Sequence, residues 1–349
     1  VLEPIRRRWR RPDKTAFVLS GGGNRGALQI GMLRALLEHR IKPDLVVGCS
    51  VGALNGAAVA ADPSLGMVGR LQDLWLSLDD DDIFPAGLLP STVQLALRGE
   101  AIHDNDGLRR VIESILPVMT FEALQVPFEC VATDIDAAAE HWFSSGSLVE
   151  PLLASAAIPA VLPAVTIDGV RYLDGGIVND VPVVRAVELG ATHVYVLHVG
   201  SFGRPRPEPR RPLDVAVQAY WIARRNRFRR DLAAISGQVK VTVLPTGETP
   251  NLSYRDLTHT AELISVAYLA ANDYLEGRAA PPLPVTSTPE PASRLKFLLD
   301  RVREIAGEEE HPAPADLAGE DAGETADRAG AVVQPAAPAS PGESGGPLS

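Results

Sequence analysis

Ser50, set in Gly48-Cys49-Ser50-Val51-Gly52, is the residue of this 349-residue chain best placed to do chemistry. The pentapeptide follows an apolar run, Leu45–Val47, and precedes Ala53–Ala61, a small-residue stretch that reads as a helix packed close to a sheet. Strand, tight turn and helix in that order hold a serine out at the top of a sheet, and glycines tolerate the crowding beside it. A serine hydroxyl is a weak nucleophile and needs a base and oxyanion donors. Gly21-Gly22-Gly23-Asn24-Arg25-Gly26 has the right character to supply the donors. It lies between a short apolar run, Ala16–Ser20, and a helical stripe of Leu28, Met32, Leu33, Leu36 and Leu37. Glycines let the backbone approach a ligand, and amides at a helix start form an anion site. The same residues fit the dinucleotide pattern G-x-G-x-x-G, but that pattern also wants an acid at the end of the second strand. Here the strand ends in Gly48-Cys49-Ser50 and Asp44 lies at its start, so the nucleotide reading loses ground.

Two bases compete. Asp174-Gly175-Gly176 follows a hairpin, Val165–Ile167 and Val170–Leu173, that turns at Asp168-Gly169. Its carboxylate could accept the Ser50 proton directly. Burial would raise its pKa, and neighbouring glycine amides would lower it. A Ser-His-Asp triad needs a histidine instead, and His198, near the carboxyl end of the run Thr192–Val199, is the one to consider. His193 and His259 read as residues of a strand and a helix. The residues by themselves do not choose between dyad and triad. Cys49 reads as a small buried hydrophobe, and Leu71 and Trp75, at helical spacing, read as core. The acidic run Asp79–Asp82 lacks calcium-loop spacing and reads as a solvated loop. The apolar residues from Ile83 to Leu97 fit either a lid over a groove or core packing.

These residues need a scaffold, and the pattern supplies one. All-apolar strands alternate with helices, and Pro127–Thr133 and Thr192–Val199 are further buried strands. Pro182–Leu189 reads as a helix with proline in its first turn. Beyond a Pro- and Arg-rich stretch, 201–212, come a helix (Leu213–Ile235), a strand (Val239–Leu244) and helices over Asp256–Glu276 and Ala292–Ile305. The expected class is α/β with a mostly parallel sheet covered on both faces. The expected organisation is a basic segment (1–14), a core (15–200), an α/β extension of the same domain (201–306) and an acidic tail (307–349). The tail is expected to be disordered.

The formal charge is −11, and residues 308–349 contribute most of it, with nine acids against one arginine. Two arginine clusters stand out: Arg6, Arg7, Arg8, Arg10 and Arg11 around Trp9, and Arg224, Arg225, Arg227, Arg229 and Arg230 near Tyr220, Trp221 and Phe228. Such stretches could touch phosphates of lipid headgroups or nucleic acid, but read first as a solvated helix face and a solvated terminus. No nucleic-acid motif accompanies them. Two cysteines, Cys49 and Cys130, exclude a disulfide scaffold and a four-thiolate zinc site. No apolar run reaches the ~18 residues of a spanning helix, and no apolar segment of a signal peptide follows the N-terminal arginines. The default expectation is a cytoplasmic protein with peripheral membrane contact.

Gly21–Gly26, Gly48–Gly52 and Asp174–Gly176, in this order, resemble the patatin-like phospholipase family. Ala154-Ser155-Ala156-Ala157-Ile158-Pro159 and Asn179-Asp180-Val181-Pro182 extend the likeness over about residues 15–200, closest to the bacterial single-domain branch related to neuropathy target esterase. The resemblance implies a three-layer α/β/α fold and a Ser50–Asp174 dyad that hydrolyses phospholipid or other acyl esters through an acyl-enzyme. It implies an oxyanion hole at Gly21, Gly22 and Gly23 with Arg25 nearby, and neither cofactor nor metal. Gly26, Gly48, Gly52, Gly175 and Gly176 fall at its motif glycines. Leu162-Pro163-Ala164 departs from the aromatic-Pro-Pro often found there, which would reshape an acyl groove. Transfer of the acyl group to an acceptor alcohol, or lipid binding without catalysis, are the alternatives.

Overall fold

The computed structural model describes residues 13–79, 103–200, 212–249 and 256–279. These all fall within one unit, Val1–Ser287. The first arginine cluster, the lid-or-core segment, the proposed helix over 292–305 and the acidic tail lie outside the described residues.

An eight-stranded sheet forms the centre. Its strands are β1 (Thr15–Leu19), β2 (Leu45–Cys49), β3 (Phe128–Asp134), β4 (Ala139–Phe143), β5 (Val165–Ile167), β6 (Val170–Asp174), β7 (His193–Leu197) and β8 (Lys240–Val243). The order is β5-β6-β3-β2-β1-β7-β8, with β4 also paired to β3. β3-β2-β1-β7-β8 run parallel, and β4, β5 and β6 make antiparallel pairs at one side. The Asp168-Gly169 turn joins β5 to β6, with both residues at positive φ as a tight hairpin requires. The sheet is thus mixed and mostly parallel.

Both faces are covered, which explains the unbroken apolar strands. Side chains alternate between the faces of a strand. Phe17 and Leu19 of β1 join one core, while Ala16 and Val18 join the other. The first core packs against α1 (Ala27–Glu38), α2 (Val51–Ala61), α3 (Leu65–Ser77), α4 (Asp106–Ile115) and α5 (Val149–Ser155), and against Leu263, Ile264, Ala267 and Ala271 further on. The second packs against α6 (Val183–Glu188) and α7 (Pro212–Ile235). The later residues of the first core belong to α8 (Thr260–Leu275). This is the three-layer α/β/α arrangement. Leu71 and Trp75 are core residues, as the spacing indicates.

A buried polar chain crosses the first core beneath the glycine loop. Trp75 Nε1 donates to Asn55 Oδ1 (3.1 Å), Asn55 Nδ2 donates to Gln29 Oε1 (2.9 Å), and Gln29 Nε2 donates to the Ser20 carbonyl (2.8 Å). α3, α2, α1 and the end of β1 are therefore held in one register. Gln29→Met removes the central link and leaves buried partners unsatisfied, at about 1–3 kcal/mol each. Urea unfolding should show a lower midpoint at unchanged slope; an unchanged midpoint would mean that water replaces the link.

Candidate active site

Ser50 joins β2 to α2 at φ 53° and ψ −128°. A left-handed φ on a non-glycine residue costs about 1–3 kcal/mol and persists only where the surroundings enforce it. Here its N–H donates to Ser155 Oγ (2.9 Å), and Ser155 Oγ donates to the Val131 carbonyl (2.7 Å). The fully buried Ser155 of α5 thus ties the turn to β3. Gly52 lets the first turn of α2 sit on the end of β1, since a β-carbon there would lie 2.4 Å from the Leu19 carbonyl oxygen.

Asp174 ends β6. Its N–H donates to the Ala157 carbonyl (2.9 Å), and its carbonyl accepts from Thr133 Oγ1 (2.8 Å). Its carboxylate accepts the Gly176 N–H (2.7 Å), and the Ser50 side chain is close enough to favour its ionised form. Ser50 is 5% exposed and Asp174 3%. Burial pushes the Asp174 carboxyl above its ordinary range. The Arg224 guanidinium, the Ser50 hydroxyl and the Gly176 amide oppose that rise only in part. A hydroxyl held against a buried carboxylate with a raised pKa has the geometry of a nucleophile and its proton acceptor.

The glycine loop passes close by: a β-carbon on Gly21 would lie 3.2 Å from Ser50 Cβ. Gly21 N–H already donates to the Asp180 carbonyl (3.2 Å), and Arg25 N–H to the Gly22 carbonyl (3.3 Å). Gly22 and Gly23 are therefore the loop residues whose amides remain candidates for an oxyanion. From Ser50 an apolar cavity opens, with about 960 Å³ of space including its mouth. Leu54, Trp75, Ile112, Leu152 and Leu162 are among its walls.

Residues 17–187 match the family described as patatin-like phospholipase. This stretch is a patatin-like phospholipase domain. Patatin-like phospholipase domain-containing protein 6 of Homo sapiens is 34% identical over 188 residues, which are 53% of this chain and 13% of that protein. Neuropathy target esterase sws of Drosophila melanogaster is 31% identical over 203 residues, 56% of this chain and 13% of that protein. An uncharacterised NTE family protein of Mycobacterium bovis is 30% identical over 233 residues, 64% of this chain and 57% of that protein. The chain thus spans about a seventh of its animal relatives and just over half of the mycobacterial one. Among solved structures, VipD from Legionella pneumophila aligns with a TM-score of 0.43 at 15% identity, covering 77% of this chain and 67% of VipD.

Within the patatin-like domain, Ser50, Asp174 and the glycine loop come together at the strand ends, and His198 takes another place. His198 is half-buried, stacked on Phe228 (centroids 5.1 Å apart), and its Nδ1 accepts the Gly200 N–H (3.2 Å). Burial pushes it down to about 3, so it stays neutral. Sequence reasoning missed Arg224. The second arginine cluster is not a uniform surface. Arg225, Arg229 and Arg230 are exposed. Arg227 binds Glu140 (2.6 Å), Asp231 (2.9 Å) and the Val178 carbonyl (3.0 Å). Arg224 turns inward and pairs with Asp180. The available signal was the stripe Arg224, Phe228, Leu232, at four-residue spacing, whose last two members are core. Ser155→Ala strips partners from the Ser50 N–H and the Val131 carbonyl. We expect a loss of about 1–3 kcal/mol in urea unfolding and slower labelling of Ser50 by a fluorophosphonate. Labelling at the wild-type rate would show that Ser155 does not position the turn.

Proposed function

We propose that this chain is a serine lipid acyl hydrolase that cleaves phospholipids or other acyl esters with a Ser50–Asp174 dyad. The observation that carries this reading is the Ser50 side chain beside the buried Asp174 carboxylate at the head of an apolar cavity. The names of the animal relatives support the same substrate class. The acyl chain lies in the cavity and its ester carbonyl at Ser50. Asp174 takes the hydroxyl proton as Oγ attacks the carbonyl carbon. The Gly22 and Gly23 amides receive the oxyanion, a contribution of roughly 3–4 kcal/mol per donor in comparable sites. The tetrahedral intermediate collapses, the leaving alcohol takes the proton from Asp174, and an acyl-enzyme remains. Water, deprotonated by Asp174, then releases the fatty acid and restores Ser50. The exposed Ile222, Arg225 and Arg229 of α7 supply an apolar and cationic surface suited to an anionic lipid interface. Among the described residues no helix is long and apolar enough to cross a membrane.

The test is fluorophosphonate labelling and hydrolysis of a short acyl ester, with a chelator present. Ser50→Ala and Asp174→Asn should each lose about 10³-fold or more in turnover, while a folded His198→Asn keeps activity. Turnover surviving in Ser50→Ala would end the mechanism. Folded wild type that neither labels nor hydrolyses, alone or on anionic vesicles, would favour lipid binding without catalysis.

Two further outcomes follow from the geometry. The raised pKa of Asp174 should place the acid limb of kcat/KM above the ~4 of an ordinary aspartate. Activity then falls as pH decreases through that value, because protonation removes the base. Leu162→Trp fills the cavity and should reduce kcat/KM for long acyl chains more than for short ones. Equal loss across chain lengths would place the acyl group elsewhere.

A further inference from the structure

We infer that Arg224 is a positioning residue of this site: its guanidinium, clamped by Asp180, holds Asp174 as the ionised partner of Ser50. The inference rests on the Ser50–Asp174 reading and extends it to a helix outside the residues matched to the family.

The geometry is specific. A β-carbon on Gly176 would lie 2.8 Å from Asp174 Oδ1 and 2.9 Å from Arg224 Nη2. Guanidinium and carboxylate therefore face each other across the space of one methyl group. A β-carbon on Gly21 would lie 3.1 Å from the same nitrogen and 3.2 Å from Ser50 Cβ. The two glycines leave room for one long side chain to reach both members of the dyad. Arg224 fills that room from α7. Tyr220 and Trp221 stack against its Cζ, at 5.0 and 4.6 Å from the ring centroids, and Asp180 pairs with Nη2. The side chains of Arg224 and Asp180 are 9% and 7% exposed. Arg224 Nε is buried with no hydrogen-bond partner.

The charge balance requires a cation here. The groups acting on Asp174 come from several elements. Cys49 at the end of β2 and Tyr220 on α7 both feel its charge. Burial pushes the thiol and the phenol up, so both are neutral. Ser50 and the Gly176 amide favour its ionised form without bringing charge. The carboxylate of Asp180 is occupied by Arg224. Among the described residues, Arg224 is the cation acting on Asp174. An opposite charge at this range lowers a carboxyl pKa by roughly 1–3 pH units.

The decisive readout is the rate of Ser50 labelling by a fluorophosphonate across pH, alongside kcat/KM for a short ester. In Arg224→Gln the acid limb should move up by about one pH unit or more, with labelling recovering at high pH. Arg224→Lys keeps the charge and should restore the limb most of the way. Asp180→Asn frees Arg224 to act on Asp174 alone, so its limb should lie at or below the wild-type position. That opposite response keeps the test valid if Arg224→Gln does not fold, which near-UV circular dichroism would reveal. An unmoved limb in folded Arg224→Gln, or an upward shift in Asp180→Asn, overturns the inference. Ser50→Ala, run in parallel, separates the two readings. Labelling that persists there refutes the dyad, whereas its loss together with an unmoved Arg224→Gln limb refutes only the role of Arg224.

Discussion

A charged carboxylate away from water is a liability of several kcal/mol unless its surroundings compensate for it. Asp174 is in that position, 3% exposed at the end of a strand, and much of the nearby structure can be understood as compensation. The Gly176 amide, the Ser50 hydroxyl and the Arg224 guanidinium all act in favour of the ionised form. Each depends on another feature. The amide reaches Oδ1 because the chain turns sharply after Asp174, with Gly175 so close to β3 that a β-carbon would lie 2.2 Å from the Val131 carbonyl oxygen. The hydroxyl arrives because Ser50 is held at an unfavourable φ. The guanidinium arrives through a buried pair with Asp180.

β3 is the common reference for Ser50 and Asp174. Val131 accepts the bond that anchors Ser155 and through it the Ser50 amide. Thr133 holds the Asp174 carbonyl, and Ala132 is the strand partner of Asp174. Two residues far apart in the chain are thus referred to three consecutive positions of one central strand. That strand is also where the sheet changes from parallel to antiparallel pairing. Parallel pairing to β2 ends with Cys49 beside Val131, and antiparallel pairing to β6 ends with Asp174 beside Ala132, so the two strand ends meet next to each other on β3.

The parts of this arrangement that the sequence reveals are those dictated by the backbone. Glycines at 21, 22, 23, 26, 48, 52, 175 and 176 mark sharp turns and close approaches, and β1, β2 and β7 are largely apolar on both faces because both are covered. The parts it conceals depend on the surroundings. β4, with Glu140 and His141 among its five residues, is half-exposed along much of its length, and pairing with β3 decides its conformation. α4 is short and carries as many charged as apolar residues, so its buried Leu108 and Ile112 give too short a stripe to read. Arg224 is concealed differently. Five arginines within seven residues suggest a wetted surface, and composition cannot show that helix rotation turns one of them inward.

The two candidate bases show why a carboxylate fits this interior and His198 does not. Burial opposes charge of either sign. It lowers the pKa of a histidine, whose charged form is the cation, and raises that of an aspartic acid, whose charged form is the anion. The same loss of water makes an imidazole a weaker proton acceptor and a carboxylate a stronger one. His198, pushed down to about 3, has little affinity left for a proton from Ser50. Asp174, pushed up, gains affinity for one. Taken too far, the same effect would protonate Asp174 at neutral pH and remove it as a base. A buried carboxylate base therefore needs a cation close enough to limit the rise and held firmly enough not to form a bidentate pair with it. Asp180 supplies that hold by occupying the guanidinium, leaving the Asp174 carboxylate available to the serine.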